Sequence, residues 1–252
     1  MVGHVVTARN PARASENRIH DDAVAQRYGF RGGLVPGVTV YGYACAPILS
    51  ALGPDWVASG SASMRFRSPC YDGERLALSV TDGAVTASVG DRLCADGTVG
   101  LGPAETSVDI PAAELPASRP EASVEVFTVG RVLGSVPLTT KPDAVNDYLE
   151  AIGEPSALYL ERGWVHPGLL LNSANTVLVA NVVLPAWVHV ESAIQHRRPV
   201  EVGEAVEVRA RVADSFERKG HHFVGLDVAW VAAGEDVVAT ARHVAIWQLA
   251  GG

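Results

Sequence analysis

A polar turn near the start of the chain, "ENRIHDD" (Glu16–Asp22), carries residue types that could do acid–base chemistry. His20 is the main candidate, because an imidazole titrates close to neutral pH and can both accept and donate a proton. Asn17 lies three residues earlier and adds an amide that can hydrogen-bond water or a substrate. The plainer interpretation is a capped helix, in which Asn17 or Ser15 accepts from free backbone N–H groups. The local sequence leaves both interpretations open.

A buried helix is the element that would have to position this turn. Gly37 follows "GFRGGLVP" and begins an apolar run that extends to Leu52. The run is apolar nearly all round, which predicts a buried helix over residues 37–52. Pro47 is expected to kink this helix or mark its end. A backbone N–H at the helix start is a fixed hydrogen-bond donor, and a glycine there leaves room for a ligand.

Two stretches of the chain recur at a spacing of 130 residues. In "MRFRSPCYDGE" and "IQHRRPVEVGE", Pro69 and Pro199 occupy the same place (199−69 = 130). Gly37 and Gly168 are 131 positions apart, and each begins a long apolar run. Because two separate features recur in the same order, we infer that the chain contains a duplicated unit.

Each copy has the same order of elements, which is a polar turn, an apolar helix and then several strands. The strand pattern is clearest in "AVEVRARV" and "HFVGLDVAWV", where apolar and polar residues alternate, as in strands with one buried face. A helix covered by an antiparallel sheet, occurring twice, is an α+β arrangement. We assign residues 1–105 to the first unit, 106–123 to a linker rich in Pro, Ala and Ser, and 124–252 to the second unit.

This pattern resembles the double hot-dog fold, in which a curved antiparallel sheet wraps a long central helix in each of two tandem units. The first copy is similar to the MaoC-like hydratase/dehydratase family. Its members carry an acid, Asn-Pro-Ile/Leu-His, an Asp, a Gly-Phe and a His-Gly or Pro-Gly that opens the central helix. The matching residues here are Asn17, Ile19, His20, Asp22, Ala25, Gly29, Phe30, Pro36 and Gly37.

The resemblance implies an (R)-specific hydratase or dehydratase acting on an enoyl or 3-hydroxyacyl thioester. The acyl group would be carried by coenzyme A or acyl carrier protein, and no metal or redox cofactor would be needed. Under this resemblance His20 orients the water, Asn17 hydrogen-bonds the water or the substrate, and the Gly37 N–H holds the thioester carbonyl oxygen.

The resemblance also suggests residues that bind the substrate. Pro36 and Val38 flank the glycine that opens the helix and would contact the acyl thioester. Arg31 could meet the phosphates of coenzyme A, since a guanidinium suits phosphate geometry. The alternative for Arg31 is an exposed cation that is solvated or paired with nearby acids.

The sequence departs from the family pattern at the catalytic acid. That acid lies five residues before the histidine in the family, and the position is Ser15 here. A serine cannot act as a carboxylate base near neutral pH, so Glu16 becomes the candidate second acid or base if the loop shifts by one residue. In the second copy Tyr159 stands roughly where His20 does, and tyrosine is a poor base at neutral pH. We therefore assign the chemistry to the first copy and a supporting role to the second.

Two other functions remain open. A non-catalytic protein that binds acyl thioesters would explain Ser15 in the place of the acid. A thioesterase is the third hypothesis, because that chemistry also occurs on hot-dog folds. Such enzymes often place an acid on the central helix, and neither apolar run contains a carboxylate. The hydratase or dehydratase is the leading hypothesis.

Composition and charge narrow the class of protein. The net charge is −8 and there is no basic block, which argues against a nucleic-acid partner. No run approaches the roughly 18 apolar residues of a membrane span, and the N-terminus has no signal-peptide pattern. The odd number of cysteines (Cys45, Cys70 and Cys94) favours reduced thiols and a cytoplasmic protein. Since a fused pair already forms the usual hot-dog interface, we expect a monomeric pseudo-dimer or a homodimer.

Overall fold

The computed structural model describes residues 1–102 and 108–250. The boundary between residues 105 and 106, and the last two residues of the second unit, therefore lie outside the described residues. The strands are β1 (Val2–Thr7), β2 (Gly60–Phe66), β3 (Arg75–Thr81), β4 (Ala84–Val89), β5 (Arg92–Leu101), β6 (Val132–Pro137), β7 (Val188–His196), β8 (Val206–Arg218), β9 (His221–Ala232) and β10 (Asp236–Gln248). The helices are α1 (Asp22–Arg27), α2 (Gly37–Leu52), α3 (Asp55–Ser59), α4 (Pro142–Ile152), α5 (Leu158–Arg162) and α6 (Pro167–Asn181), with 3₁₀ turns at Arg18–His20 and Ala233–Glu235.

The described strands form one antiparallel sheet in the order β1-β3-β4-β5-β2-β7-β10-β9-β8-β6. Outward from the central β2–β7 pair, one half of the sheet has β5, β4, β3 and β1. The other half has the corresponding strands of the second copy, β10, β9, β8 and β6, in the same order. Ser63 of β2 pairs directly with Ala193 of β7, and these two residues are repeat partners (193−63 = 130). The axis that relates the two copies therefore crosses the sheet at this pair. The α+β arrangement predicted from the repeat is confirmed.

The first central helix, α2, begins at Gly37 and ends at Leu52, as predicted. Its side chains are buried on nearly every side, because the sheet covers one face and α6 packs against another. Pro47 lies inside the helix, which continues to Leu52, so this proline does not mark its end. Gly53 ends the helix with φ of 75°, a left-handed conformation that favours glycine.

The two central helices approach each other through glycines. A methyl group at Gly168 of α6 would lie 2.9 Å from the Gly42 Cα of α2 and would overlap the Tyr148 hydroxyl. The absence of a side chain at these positions therefore lets the helices touch. Within the described ranges, no helix has both the length and the apolar character that a membrane crossing requires.

The described part of the linker, residues 108–123, runs along the outside of the C-terminal half. Ile110 is buried against Ala229 and Val231 of β9. Further on, Arg119 contacts both Glu16 and the carbonyl oxygen of Val179. The linker thus touches the first half and the second half of the chain.

Candidate active site

A pocket of about 150 Å³ opens at the start of α2, where the two halves of the chain meet. The N-terminal half lines it with parts of residues 17–20, 34–37 and 66–70. The C-terminal half contributes Asn175 of α6, together with Trp187, Val188 and His189 around the start of β7. The pocket is therefore a composite of both copies, with His20 and Gly37 on its wall.

His20 is 9% exposed and is held at both ring nitrogens. Nδ1 lies 2.7 Å from the carbonyl oxygen of Leu34, and since a carbonyl oxygen only accepts, Nδ1 carries the hydrogen. Nε2 therefore presents its lone pair, and the Asn17 amide donates to it across 3.2 Å. Burial lowers the pKa of His20, while the Leu34 carbonyl partly offsets that effect. The His20 ring is therefore neutral at neutral pH, with its hydrogen on Nδ1 and its lone pair on Nε2.

Asn17 caps the turn, as one interpretation of the sequence predicted, and also contacts His20 and Trp187. As the N-cap of the 3₁₀ turn, its Oδ1 accepts from the Ile19 N–H (3.3 Å). The same oxygen accepts from the Trp187 N–H (3.2 Å), and Nδ2 donates to the Trp187 carbonyl oxygen (3.0 Å). The amide therefore fixes the turn, the His20 ring and the segment before β7 at once.

The start of α2 supplies backbone donors to the pocket. The N–H groups of Gly37 and Val38 make no hydrogen bond to any residue in the described ranges. They lie at the positive end of the helix dipole, which favours negative charge on a ligand atom. Pro36 and Gly37 line the pocket, whereas the Val38 side chain is buried in the core.

Glycine at position 37 is required by packing and not by backbone conformation. A methyl group there would lie 2.7 Å from Nδ1 of His189 and 3.0 Å from the Phe66 ring. The absence of a side chain thus lets β2 and β7 pack against the start of the helix.

Three residues selected from the sequence lie away from His20. Glu16 is exposed and forms a two-pronged ion pair with Arg119 (2.9 and 3.1 Å), which lowers the pKa of its carboxyl group. Ser15 directs its hydroxyl to the Asn17 carbonyl oxygen (3.4 Å). Arg31 pairs with Glu74 (2.6 Å). None of the three is among the described residues that line the pocket, so the structure does not bring them together with His20.

His189 is the histidine of the pocket that was not predicted from the sequence. It lies in "WVHVES", 169 residues after His20 (189−20), and no motif marks it. Nδ1 is buried, and no group in the described part of the chain hydrogen-bonds it. Its ring packs at 4.7 Å from the Phe66 ring, beside Gly37.

The corresponding place in the second copy, at the start of α6, is filled. His166 caps the helix by accepting from the Gly168 N–H (3.0 Å), so its other nitrogen donates to Glu154 (3.2 Å). The rings of Tyr159 and Tyr148 pack on this histidine at 4.5 and 5.4 Å. Tyr159 is buried, and its hydroxyl has no hydrogen-bond partner in the described ranges. These side chains occupy the space that the pocket occupies in the first copy.

Comparisons with known proteins give similarity in structure and not in sequence. No protein-family model matches the sequence, and no curated protein matches it. A Chloroflexus aurantiacus protein described as a MaoC domain dehydratase is 12% identical, with a TM-score of 0.64 over 100% of this chain and 96% of that chain. A conserved hypothetical protein from Mycobacterium tuberculosis with a double hot-dog fold is 16% identical, with a TM-score of 0.63 over 98% and 96%.

A third solved structure, a TesB protein from Mycobacterium avium subsp. paratuberculosis, is 11% identical and has a TM-score of 0.52 over 98% of this chain and 92% of that chain. At these identities the likeness shows the fold. The chain is therefore similar over its whole length to MaoC-like dehydratases, and its α+β fold is the double hot-dog.

Proposed function

We propose that the protein is an (R)-specific hydratase or dehydratase of enoyl and 3-hydroxyacyl thioesters, with its active site in the pocket at the start of α2. One observation carries the proposal. The neutral His20 ring, fixed through Nδ1 on Leu34, shares a pocket with Gly37, whose N–H makes no hydrogen bond to any of the described residues.

These groups match what the hydration reaction needs. Water displaces the Asn17 amide from Nε2 of His20, and Nε2 then takes a proton from this water while the water oxygen bonds to the β-carbon of the enoyl thioester. The electron pair of the C=C bond moves onto the thioester carbonyl, and the N–H groups at the start of α2 stabilise the resulting enolate. The enolate then takes a proton at its α-carbon from a second group. Dehydration follows the same steps in reverse.

The walls of the pocket indicate the kind of acyl chain. Apart from its polar groups, the pocket is lined by apolar side chains, among them Ile19, Phe30, Leu34 and Val40. Its volume of about 150 Å³ is below the several hundred Å³ of typical small-molecule sites. We infer that a short acyl chain enters the pocket and that its carrier, coenzyme A or acyl carrier protein, stays outside.

A non-catalytic binder of acyl thioesters is the second candidate. The observation that favours it is the composition of the wall, since no Asp or Glu occurs among the described residues that line the pocket. The same observation disfavours a thioesterase that uses a carboxylate.

Incubation with crotonyl-CoA separates these functions. Loss of the enoyl thioester absorbance without release of free thiol indicates hydration, and chiral chromatography of the product tests the (R) configuration. Release of thiol indicates a thioesterase. Saturable binding without either change indicates a binder and would overturn the proposal. We expect His20→Gln to abolish hydration and His4→Gln, on β1 outside the pocket, to retain it.

A further inference from the structure

We propose that His189 is the second acid–base group of the pocket and moves the proton at the α-carbon of the thioester. This inference rests on the proposed function. It concerns a residue of the C-terminal half, which the sequence analysis assigned a supporting role only.

A β-bulge in β7 determines on which face of the sheet the His189 side chain lies. Where β7 pairs with β10, Glu191 lies opposite Val244 and His189 lies opposite Ala245, so Val190 has no partner of its own. Successive residues of a regular strand point to opposite faces, which would separate His189 from Ser192. The extra residue reverses that alternation and places His189 and Ser192 on one face.

The hydrogen bonds of this face fix the His189 tautomer. Nε2 lies 3.2 Å from the Glu191 carbonyl oxygen and 2.8 Å from the Ser192 hydroxyl. Because the carbonyl oxygen only accepts, Nε2 carries the hydrogen. The Ser192 hydroxyl in turn lies 2.9 Å from Nδ1 of His243, its cross-strand neighbour. This chain of contacts holds the ring and leaves Nδ1 of His189 with a lone pair.

Nδ1 faces the reacting end of the pocket. A Cβ atom at Gly37 would lie 2.7 Å from it, so Nδ1 stands beside the helix start that holds the thioester carbonyl in the proposed function. The α-carbon is the atom next to that carbonyl. Among the described residues no group hydrogen-bonds Nδ1, although the side chain is buried. A buried acceptor without a partner at this place is suited to take a proton from the substrate.

The charges around the ring are compatible with this role. Burial, and then the neighbouring His243, hold the pKa of His189 well below its usual range, so the resting ring is a neutral base. Burial lowers the pKa of His243 to about 3. The other titratable groups lining the pocket are His20, Cys70, Cys94 and Arg67, and Arg67 is paired with Asp96 (2.7 Å).

The two histidines account for both proton transfers of the dehydration. Both rings are neutral at rest, so dehydration begins after the pair takes up one proton from solvent at Nε2 of His20. His189 Nδ1 takes the α-proton, and the C–H electron pair moves onto the thioester carbonyl to give the enolate. The enolate then re-forms the carbonyl and makes the C=C bond as the C–O bond breaks. The leaving oxygen takes the proton from Nε2 of His20 and departs as water. Solvent exchange then returns the proton from His189 to His20.

Hydrogen exchange at the α-carbon tests His189 separately from hydration. In deuterated buffer, we expect the protein to exchange the α-hydrogens of butyryl-CoA, which has no hydroxyl to lose. His189→Gln should lose this exchange and lower kcat for crotonyl-CoA hydration by about 100-fold or more, with KM little changed. His20→Gln should retain the exchange. His196→Gln is the matched control, because His196 is equally buried but lies outside the pocket.

The outcomes separate the two proposals. If the wild-type protein hydrates no thioester, the proposed function fails, and with it the role of His189. If the wild type hydrates crotonyl-CoA and folded His189→Gln does so within about tenfold, the His189 proposal alone is overturned. Should His189→Gln not fold, His189→Asn replaces it, since its amide is smaller and equally unable to take the proton.

Discussion

The side-chain amide of Asn17 hydrogen-bonds both backbone groups of Trp187, accepting from its N–H at 3.2 Å and donating to its carbonyl oxygen at 3.0 Å. The two residues are 170 positions apart and belong to different halves of the chain. The contact joins the turn that carries His20 to the segment that leads into His189. The Asn17 amide therefore contributes to the relative placement of the two histidines.

Replacing this amide by a carboxylate should weaken both the fold and the site. In Asn17→Asp the donor to Trp187 is lost and a negative oxygen faces the Trp187 carbonyl. We expect the free energy of unfolding to fall by about 1–3 kcal/mol, measured by chemical denaturation. Crotonyl-CoA turnover should fall with it. Asn146→Asp, on the exposed face of α4, is the control. Equal stability of the two variants would contradict the predicted role of the contact.

A methyl group at position 37 should block the pocket from within. In Gly37→Ala the new Cβ would stand 2.7 Å from Nδ1 of His189. We expect turnover to fall about 100-fold, because small displacements of catalytic groups are costly, and stability to fall by about 1–3 kcal/mol from overpacking. Steady-state kinetics and thermal unfolding measure the two effects.

The control for this change is Gly100→Ala, where the nearest atom to the new methyl is the Ser61 hydroxyl at 3.8 Å. Normal turnover by Gly37→Ala would show that His189 and the start of α2 need not be in close contact during the reaction.

The cysteines should differ in reactivity. A hydrogen bond from the Cys70 thiol, together with the Arg92 guanidinium, lowers the pKa of Cys94 to about 6, although burial opposes this. Burial raises the pKa of Cys45 well above its usual range. Since Cys94 lines the pocket, iodoacetamide near neutral pH should modify it before Cys45. Mass spectrometry of the peptides checks this order, and a saturated acyl-CoA should slow the labelling of Cys94. Equal labelling of both residues would refute the prediction.

Mild acid should destabilise the protein, because its buried histidines resist protonation in the folded state. Burial, and then the nearby His166, lower the pKa of His196 from 6.5 to about 4. Between these two pH values the unfolded chain binds a proton that the folded chain excludes, so stability falls as the pH falls through this window. The slope is about 1.4 kcal/mol per pH unit for each such histidine. His243 and His189 add to it.

Denaturation at a series of pH values checks this prediction. His196→Gln should flatten the slope, whereas His221→Gln, on the partly exposed start of β9, should not. A wild-type protein with constant stability across the window would show that the buried rings can be protonated in the folded state.

The fold could be predicted from two patterns in the sequence, an apolar run and a long-range repeat. The apolar run bounded by Gly37 and Leu52 became α2 with those ends, because a helix buried on all sides must be apolar on all sides. The two copies that recur at an offset of 130 residues meet at the Ser63–Ala193 pair, at the centre of the sheet. His20 and Gly37 could be placed in one pocket because a single motif contains both.

The rest of the site depends on contacts between distant residues. Glu16 pairs with Arg119, 103 positions later, and its position beside Ser15 in the sequence could not predict where its carboxylate points. His189 reaches the pocket through a bulge at Val190, and bulges arise from the pairing of two strands. The pattern of apolar and polar residues in "WVHVES" gives no sign that the histidine lies on the other face of the strand.

The tyrosine rings packed on His166 determine how many thioester molecules we expect one chain to bind. A symmetrical pair of hot-dog units would offer two equivalent chambers, whereas in the described part of this chain the rings of Tyr148 and Tyr159 pack on His166 where the second chamber would lie. Titration should therefore saturate at a single equivalent of thioester per chain, without cooperativity between the copies. The second unit would then act on the substrate only through the residues that it contributes to this pocket, His189 among them.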